Sequence, residues 1–277
     1  MLNKILDGKK LSEKFLRKIK KQITKLDALP GLAAILVGDD PASTLYVRLK
    51  KEACEKCGVH FHRYFFDENC HEEEIIKSID FLNQDPETHG ILVQLPLPKK
   101  FNTEKIISSI DYRKDIDGFH PRNQANMKKC VYKVMPPLPM GIIELVNSTK
   151  IKIENKNIVI LCNHKIFSQP FICVWGEKNK ITTVTLKDND WKQHVEQADL
   201  LIVCVGQANL ITNDLIKKDV IIIDVGINKV KGKLVGDVDL KSVLEKVSFI
   251  SPVPGGVGPM TIAMLLQNLV KIKSFLK

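Results

Sequence analysis

The sequence predicts an α/β protein built as two α/β domains around a cleft, and three observations carry that expectation. Apolar runs such as LAAILVG (residues 32–38) and GILVQLPLP (90–98) are continuous rather than alternating, as strands covered on both faces require. Segments of helical period separate these runs repeatedly. One irregular stretch, residues 111–139, rich in Asp, Pro and Asn, interrupts the alternation and marks a boundary between two units. A cleft between such units is the default place for a ligand.

The elements follow in order. Residues 9–26 read as an amphipathic helix, 32–38 as a buried strand ending in the turn GDDPAS, and 43–57 as a second helix. Residues 59–66 read as a strand, 71–83 as a helix, 90–98 as a strand stopped by prolines, and 103–110 as a short helix. Beyond the irregular stretch come a helix at 140–148, a strand at 157–161, a helix at 168–175 and a strand at 181–186. A helix at 191–197, strands at 199–205 and 220–225, and a long terminal helix from 259 complete the series.

Composition narrows the class. The 277 residues, 44% hydrophobic and 27% charged, are those of an ordinary soluble protein with room for two domains. No apolar stretch approaches the ~20 residues of a membrane span, and the run in MLNKILDGKKLSEKF is too short for a secretory signal. We read the chain as cytoplasmic, with no membrane partner. Its seven cysteines are scattered, which suggests reduced, mostly buried thiols. Cys54 and Cys57, followed by His60 and His62, lack the second half of a zinc site and lie in a helical pattern, so helix packing is favoured. The net charge of +10 comes mainly from lysines spread at helical spacing, with few aromatics between them. A nucleic-acid partner is therefore not expected.

Several stretches carry chemistry. Tyr46 and Lys50 stand four apart on one helix face after a strand and its turn, where α/β proteins bind ligands. A lysine partly desolvated beside an aromatic ring becomes a usable acid or base. Gln94 interrupts an apolar strand, and a buried amide needs partners such as an ammonium or a ligand carbonyl. In DIDG, Asp115 and Asp117 point different ways if the chain is extended, so one can bind a ligand while the other caps a helix. No third metal ligand accompanies them. Gly255, Gly256 and Gly258 in SPVPGGVGPMT permit close backbone approach, yet no Lys-Ser or Lys-Thr follows as in a P-loop. VILCNHKIFSQP (159–170) runs from a strand to a helix without one glycine, where a dinucleotide fold would place several.

YVRLK, ILVQLPLP, DIDGFHP, VIIIDVGIN, VGDVD and SPVPGGVGPMT stand in the order and spacing of one enzyme family. From about residue 3 to about residue 270 the chain resembles the bifunctional methylenetetrahydrofolate dehydrogenase/methenyltetrahydrofolate cyclohydrolases. The resemblance implies a folate-binding catalytic domain at 1–118. It also implies a Rossmann-like NAD(P)-binding parallel sheet at 119–277, with a C-terminal helix returning to the first domain. Lys50 is then the catalytic lysine, poised by Tyr46 and hydrogen-bonded by Gln94. Tyr46, Gln94, Asp117 and the turn Pro254, Gly255, Gly256 bind folate, Asp117 through the pterin ring. Cys162, Asn163, His164, Gly206 and Ile227 take cofactor-facing positions. NADP is the implied cofactor, a homodimer the implied assembly, and a folate, in monoglutamate or polyglutamate form, the implied substrate. No metal is implied.

The chain departs from the family pattern at one end of the cofactor groove. Cys162, Asn163 and His164 replace a Gly-Arg-Ser that grips the extra phosphate of NADP, and Ser168 replaces a later glycine. Asp188 and Asn189 stand for a His-Ser pair, and an aspartate there favours a free ribose hydroxyl as in NAD-binding folds. Pro137 and Leu138 replace Cys-Thr. One alternative is thus a cyclohydrolase whose dehydrogenase is weak, NAD-dependent or lost. A non-catalytic folate-binding protein is another, against which the intact Tyr46, Lys50, Gln94 and Asp117 set stands.

Overall fold

Helices and strands alternate along the computed structural model, which describes residues 4–276. Helix α1 (Gly8–Ile23) leads to β1 (Gly31–Val37), α2 (Pro41–Cys57), β2 (His60–Phe66), α3 (Glu72–Gln84), β3 (Gly90–Val93) and α4 (Thr103–Ser108). Next come α5 (Pro121–Lys128), α6 (Pro137–Ser148), β4 (Asn157–Cys162), α7 (Gln169–Trp175), β5 (Lys180–Val184), α8 (Trp191–Glu196), β6 (Leu200–Cys204) and β7 (Ile221–Asp224). A hairpin of β8 (Asn228–Val230) and β9 (Lys233–Val235), then α9 (Leu240–Val243), β10 (Phe249–Ile250) and α10 (Val257–Phe275), end the chain. The expected α/β class with parallel sheets is what the molecule has.

Two compact units divide the chain, Glu13–Pro137 with Ile262–Lys277 and Met1–Ser12 with Leu138–Thr261. This division differs from the expected one at residue 118. Residues 119–137 stay with the first unit because Val134 enters its apolar cluster. In addition, Asn268 of α10 donates to the carbonyls of Ile116 at 3.0 Å and Met135 at 2.8 Å.

The first unit holds a three-stranded parallel sheet in the order β2-β1-β3. Residues alternate across β1. Leu32 and Ala34 pack with Ile19, Cys54, Cys57, Leu266 and Leu269, whereas Ala33, Ile35 and Val37 pack with Ile75, Ile79, Leu82 and Ile106. Helices on both faces explain why β1 reads as an unbroken apolar run. The second unit holds a five-stranded sheet in the order β10-β7-β6-β4-β5, every pair parallel. Its strand order reverses direction beside β4, and in open parallel sheets ligands bind outside the carboxyl ends at such a switch point.

The irregular stretch contains one element that periodicity did not reveal. Helix α5 buries only Met127, so it carries no apolar stripe, but Pro121 at its first turn and the His120 side chain capping the Arg122 amide mark its start. The 3-residue strands β8 and β9 and the short α9 escaped for another reason: each is too brief to show a period.

Candidate active site

Helix α2 starts in the turn after β1, where the Asp40 carboxylate accepts from the Ser43 amide at 2.7 Å and Pro41 fills the first turn. Gly58, with φ of 81°, closes it in the left-handed conformation that glycine adopts freely. Tyr46 and Lys50 thus lie one turn apart on a helix fixed at both ends. Lys50 is 9% exposed, and its ammonium donates to Gln94 Oε1 at 2.9 Å. Burial holds this lysine below the usual range, with the nearby Asp117 and Cys54 opposing the shift.

Gln94 follows β3 directly and is oriented by its own neighbourhood. Its backbone amide donates to Ile35 O at 2.8 Å, extending the sheet, and its Nε2 donates to Leu95 O at 2.8 Å. The amide oxygen is therefore the end turned to Lys50. Tyr46 is half-buried, and desolvation raises its phenol above the usual range.

The two aspartates of DIDG have separate roles. Asp115 is 1% exposed, and its carboxylate accepts from the amides of Gly118 at 3.0 Å and His120 at 2.8 Å and from Asn123 Nδ2 at 2.8 Å. All of its capacity goes into folding the turn that leads to α5. Asp117 is half-buried and pushed up to about 6 by burial, with Lys50 opposing and Asp115 reinforcing. Lys50, Gln94 and Asp117 thus form one group, with Tyr46 a helical turn from the lysine.

Among the described residues no cluster of three or more His, Cys, Asp or Glu side chains could hold a metal. Cys54 and Cys57 are free and buried in the packing of α2.

In the second unit the loop after β4 is a short bridge of side-chain bonds. Cys162 is buried, and its thiol contacts the His164 carbonyl at 3.4 Å, so its side chain lies beneath the loop. Asn163 donates to Val205 O at 3.1 Å, tying the ends of β4 and β6 together. A single 3-10 turn, Lys165–Ser168, takes the place of a glycine-rich phosphate loop, with the buried Ser168 hydroxyl donating to Lys165 O at 2.7 Å. His164 and Lys165 are exposed. After β5, Asp188 accepts from the Thr185 amide at 2.7 Å and hydroxyl at 3.2 Å. These bonds, aided by the charges of Lys165 and His194, hold its carboxyl below the usual range.

Gly206 has φ of 70°, and a side chain there would meet open space. Ile227 is 55% exposed, an apolar surface at the mouth of the β7 loop. Pro254, Gly255 and Gly256 form a turn in this second unit, Gly255 with φ of 102° and its carbonyl accepting from the Lys9 amide at 3.0 Å. Pro137 is buried and opens α6, with Leu138 next to it.

Sequence reasoning singled out neither Asp224 nor Asp237. Both are buried at the ends of loops in this unit, and Asp224 is pushed up to about 6 by burial. The signal was present in IIID, where an apolar buried strand ends on a carboxylate.

Comparison with known proteins bears on the family. Residues 6–117 match the tetrahydrofolate dehydrogenase/cyclohydrolase catalytic domain, and residues 136–276 match the NAD(P)-binding domain of the same family. The chain is 44% identical to the bifunctional protein FolD of Nautilia profundicola over 99% of its own length and 98% of the relative's. It superposes with a TM-score of 0.93 on the crystal structure of FolD, a methylenetetrahydrofolate dehydrogenase/cyclohydrolase, from Campylobacter jejuni, at 42% identity, covering 98% of this chain and 99% of that one. The Trypanosoma brucei enzyme, solved with NADP and an inhibitor, gives 0.91 at 28% identity, covering 99% and 98%. The chain belongs to the tetrahydrofolate dehydrogenase/cyclohydrolase family.

Proposed function

We propose that this protein oxidises methylenetetrahydrofolate to methenyltetrahydrofolate with NADP and hydrolyses the product to formyltetrahydrofolate. The observation that carries the reading is the buried Lys50 ammonium, held by Gln94 at 2.9 Å and within electrostatic reach of Asp117. In the hydrolysis a water adds to the bridging carbon of the methenyl cation, losing a proton. The ring then opens as its nitrogen takes up a proton and the new hydroxyl gives one up to become the formyl carbonyl, so one proton is released overall. A lysine whose pKa is lowered by burial gives up its proton more readily than a free one, which suits it to take and return that proton. Gln94 keeps the amine in place, and Tyr46 lies one helical turn from the lysine. Asp117, titrating at about 6, is ionised at neutral pH and can accept from ring N–H and amine groups of a pterin.

A nicotinamide dinucleotide fits the second unit. The carboxyl ends of β4 and β6 lie side by side, Gly206 leaves space beside its backbone, and Ile227 offers an apolar face. Gly206, Ile227 and the Asn163–His164 backbone would hold it; when bound, NADP accepts the hydride of the oxidation. Lys165 is the cation beside Asp188, and the two charges oppose each other at the ribose end. Cys162 could contribute only its backbone, its thiol being buried. Pro254, Gly255 and Gly256 bind the substrate as well.

The physiological setting is cytoplasmic one-carbon metabolism, the assembly a homodimer, and the substrate a folate, mono- or polyglutamylated. Lys50→Met tests the assignment. Folate binding with hydrolysis reduced at least a hundredfold supports it, and full turnover contradicts it. The non-catalytic alternative requires the opposite result, wild-type protein that binds folate and hydrolyses nothing.

A further inference from the structure

Asp237 is fully buried, and every partner that its carboxylate holds is neutral. Oδ2 accepts from the amides of Val205 at 2.7 Å and Gly206 at 3.0 Å, the turn that follows β6. Oδ1 accepts from Asn228 Nδ2 at 2.9 Å, the residue after Ile227. One carboxylate therefore fixes both stretches of the second unit that present Gly206 and Ile227. Its own backbone is fixed in turn. Asp224 at the end of β7 accepts from the amides of Gly226, Asp237 and Val238, each at 3.0 Å. The glycines around these groups follow from the crowding. A Cβ on Gly236 would overlap the Asp224 carboxylate, and a Cβ on Gly226 would overlap that of Asp237.

We propose that Asp237 is a positioning residue of the cofactor groove, holding the Val205–Gly206 turn and the Ile227–Asn228 segment in the arrangement that NADP requires. The inference rests on the cofactor reading above. An isolated buried carboxylate is costly, and three donors aimed at it offset that cost only while all are in place. The geometry is thus set before any ligand arrives, which is how a binding site avoids ordering its loops on association. A carboxylate suits the place because it accepts on both oxygens. An asparagine has one acceptor and one donor, so with its oxygen on the two backbone amides its NH2 meets the NH2 of Asn228 unless Asn228 turns its own amide to present the oxygen.

That mismatch supplies the test. Asp237→Asn removes the charge and one of the two accepting oxygens, so Asn228 must turn its amide over to keep the bond, and Asn228→Asp in the same chain supplies a fixed acceptor there with the charge moved across. NADP affinity is measured directly by calorimetry on the full-length protein, with melting temperature and methenyltetrahydrofolate hydrolysis followed alongside. Asp237→Asn is expected to weaken NADP binding at least tenfold while hydrolysis falls by less. The double variant is expected within threefold of wild type. An Asp237→Asn protein that binds NADP as tightly as wild type overturns the proposal, as does a double variant no better than the single one, or hydrolysis lost in equal measure with affinity. If Asp237→Asn does not fold, Asn228→Ala, which removes one donor only, carries the test: binding weakened threefold or more supports the role, and unchanged binding overturns it. Wild-type protein that fails to bind NADP at all would overturn the cofactor reading and this proposal with it, a result distinct from all of these.

Discussion

The lysine site of the first unit and the loop after β4 in the second solve their problems in opposite ways. At Lys50 the chemistry needs a particular side chain in a dry place, and Gln94 and Asp117 are of matching types around it. In the loop after β4 the Cys162, Asn163 and Ser168 side chains are engaged with backbone carbonyls, so they shape the path of the backbone. Side-chain identity is freer there, and a 3-10 turn with the buried Ser168 stands in for glycines. The difference teaches where a sequence motif is binding and where it is one solution among several. Proton transfer fixes residue types, whereas phosphate cradling fixes a backbone path that several sequences can follow.

Breaking the lysine side of the comparison gives the largest expected effect. Lys50→Met removes the acid–base group and is expected to lower hydrolysis by about 10²–10⁴-fold, the usual worth of a positioned proton carrier, measured by loss of methenyltetrahydrofolate absorbance. The melting temperature should hold or rise, because a buried ammonium no longer has to be desolvated.

Next comes the contrast within DIDG. Asp115→Ala leaves the Gly118 and His120 amides and Asn123 without their acceptor, which is expected to cost about 2–4 kcal/mol of stability in denaturant unfolding. Asp117→Asn should behave otherwise. The folded carboxyl is raised from 3.8 to about 6, so its contribution to stability is present below the unfolded value and lost as pH rises through about 6. Removing the charge at pH 7 therefore costs no stability, while folate affinity falls. In the wild type, folate affinity should decline as pH drops below about 6, and Asp117→Asn should abolish that limb.

A smaller effect sharpens the cofactor side. Asp188 is a carboxylate kept ionised by Thr185 at the end of β5, the position from which an acidic residue disfavours a ribose phosphate. Asp188→Ser is expected to improve NADP affinity several-fold relative to NAD in a binding titration. An unchanged ratio would place Asp188 away from the ribose.

Much of this was legible in the sequence, for physical reasons. Strands β1, β3, β4, β6 and β7 announce themselves as apolar runs because both faces are covered, and α2 is bounded by Pro41 and Gly58. Gln94 stands out as a polar group in an apolar strand, whereas Lys50 and Asp117 are picked from among similar residues by the family resemblance. The end of the strand at 90–98 was placed too late, since Gln94 continues the backbone pairing but Leu95 onward turns away. Helix α5 stayed hidden because it buries almost nothing. Asp237 was hidden because two of its three donors are backbone amides of residues far along the chain, a relation that spacing does not record.

The central claim is that the lysine site performs hydrolysis and that the second unit serves the oxidation with NADP. One purified sample tests it: methenyltetrahydrofolate hydrolysis assayed beside methylenetetrahydrofolate oxidation, with NADP and NAD each titrated. The account predicts both reactions, with oxidation saturating in NADP even though the loop lacks glycine. Absence of hydrolysis would contradict the role of Lys50, and hydrolysis without oxidation at any NADP concentration would contradict the role given to the second unit.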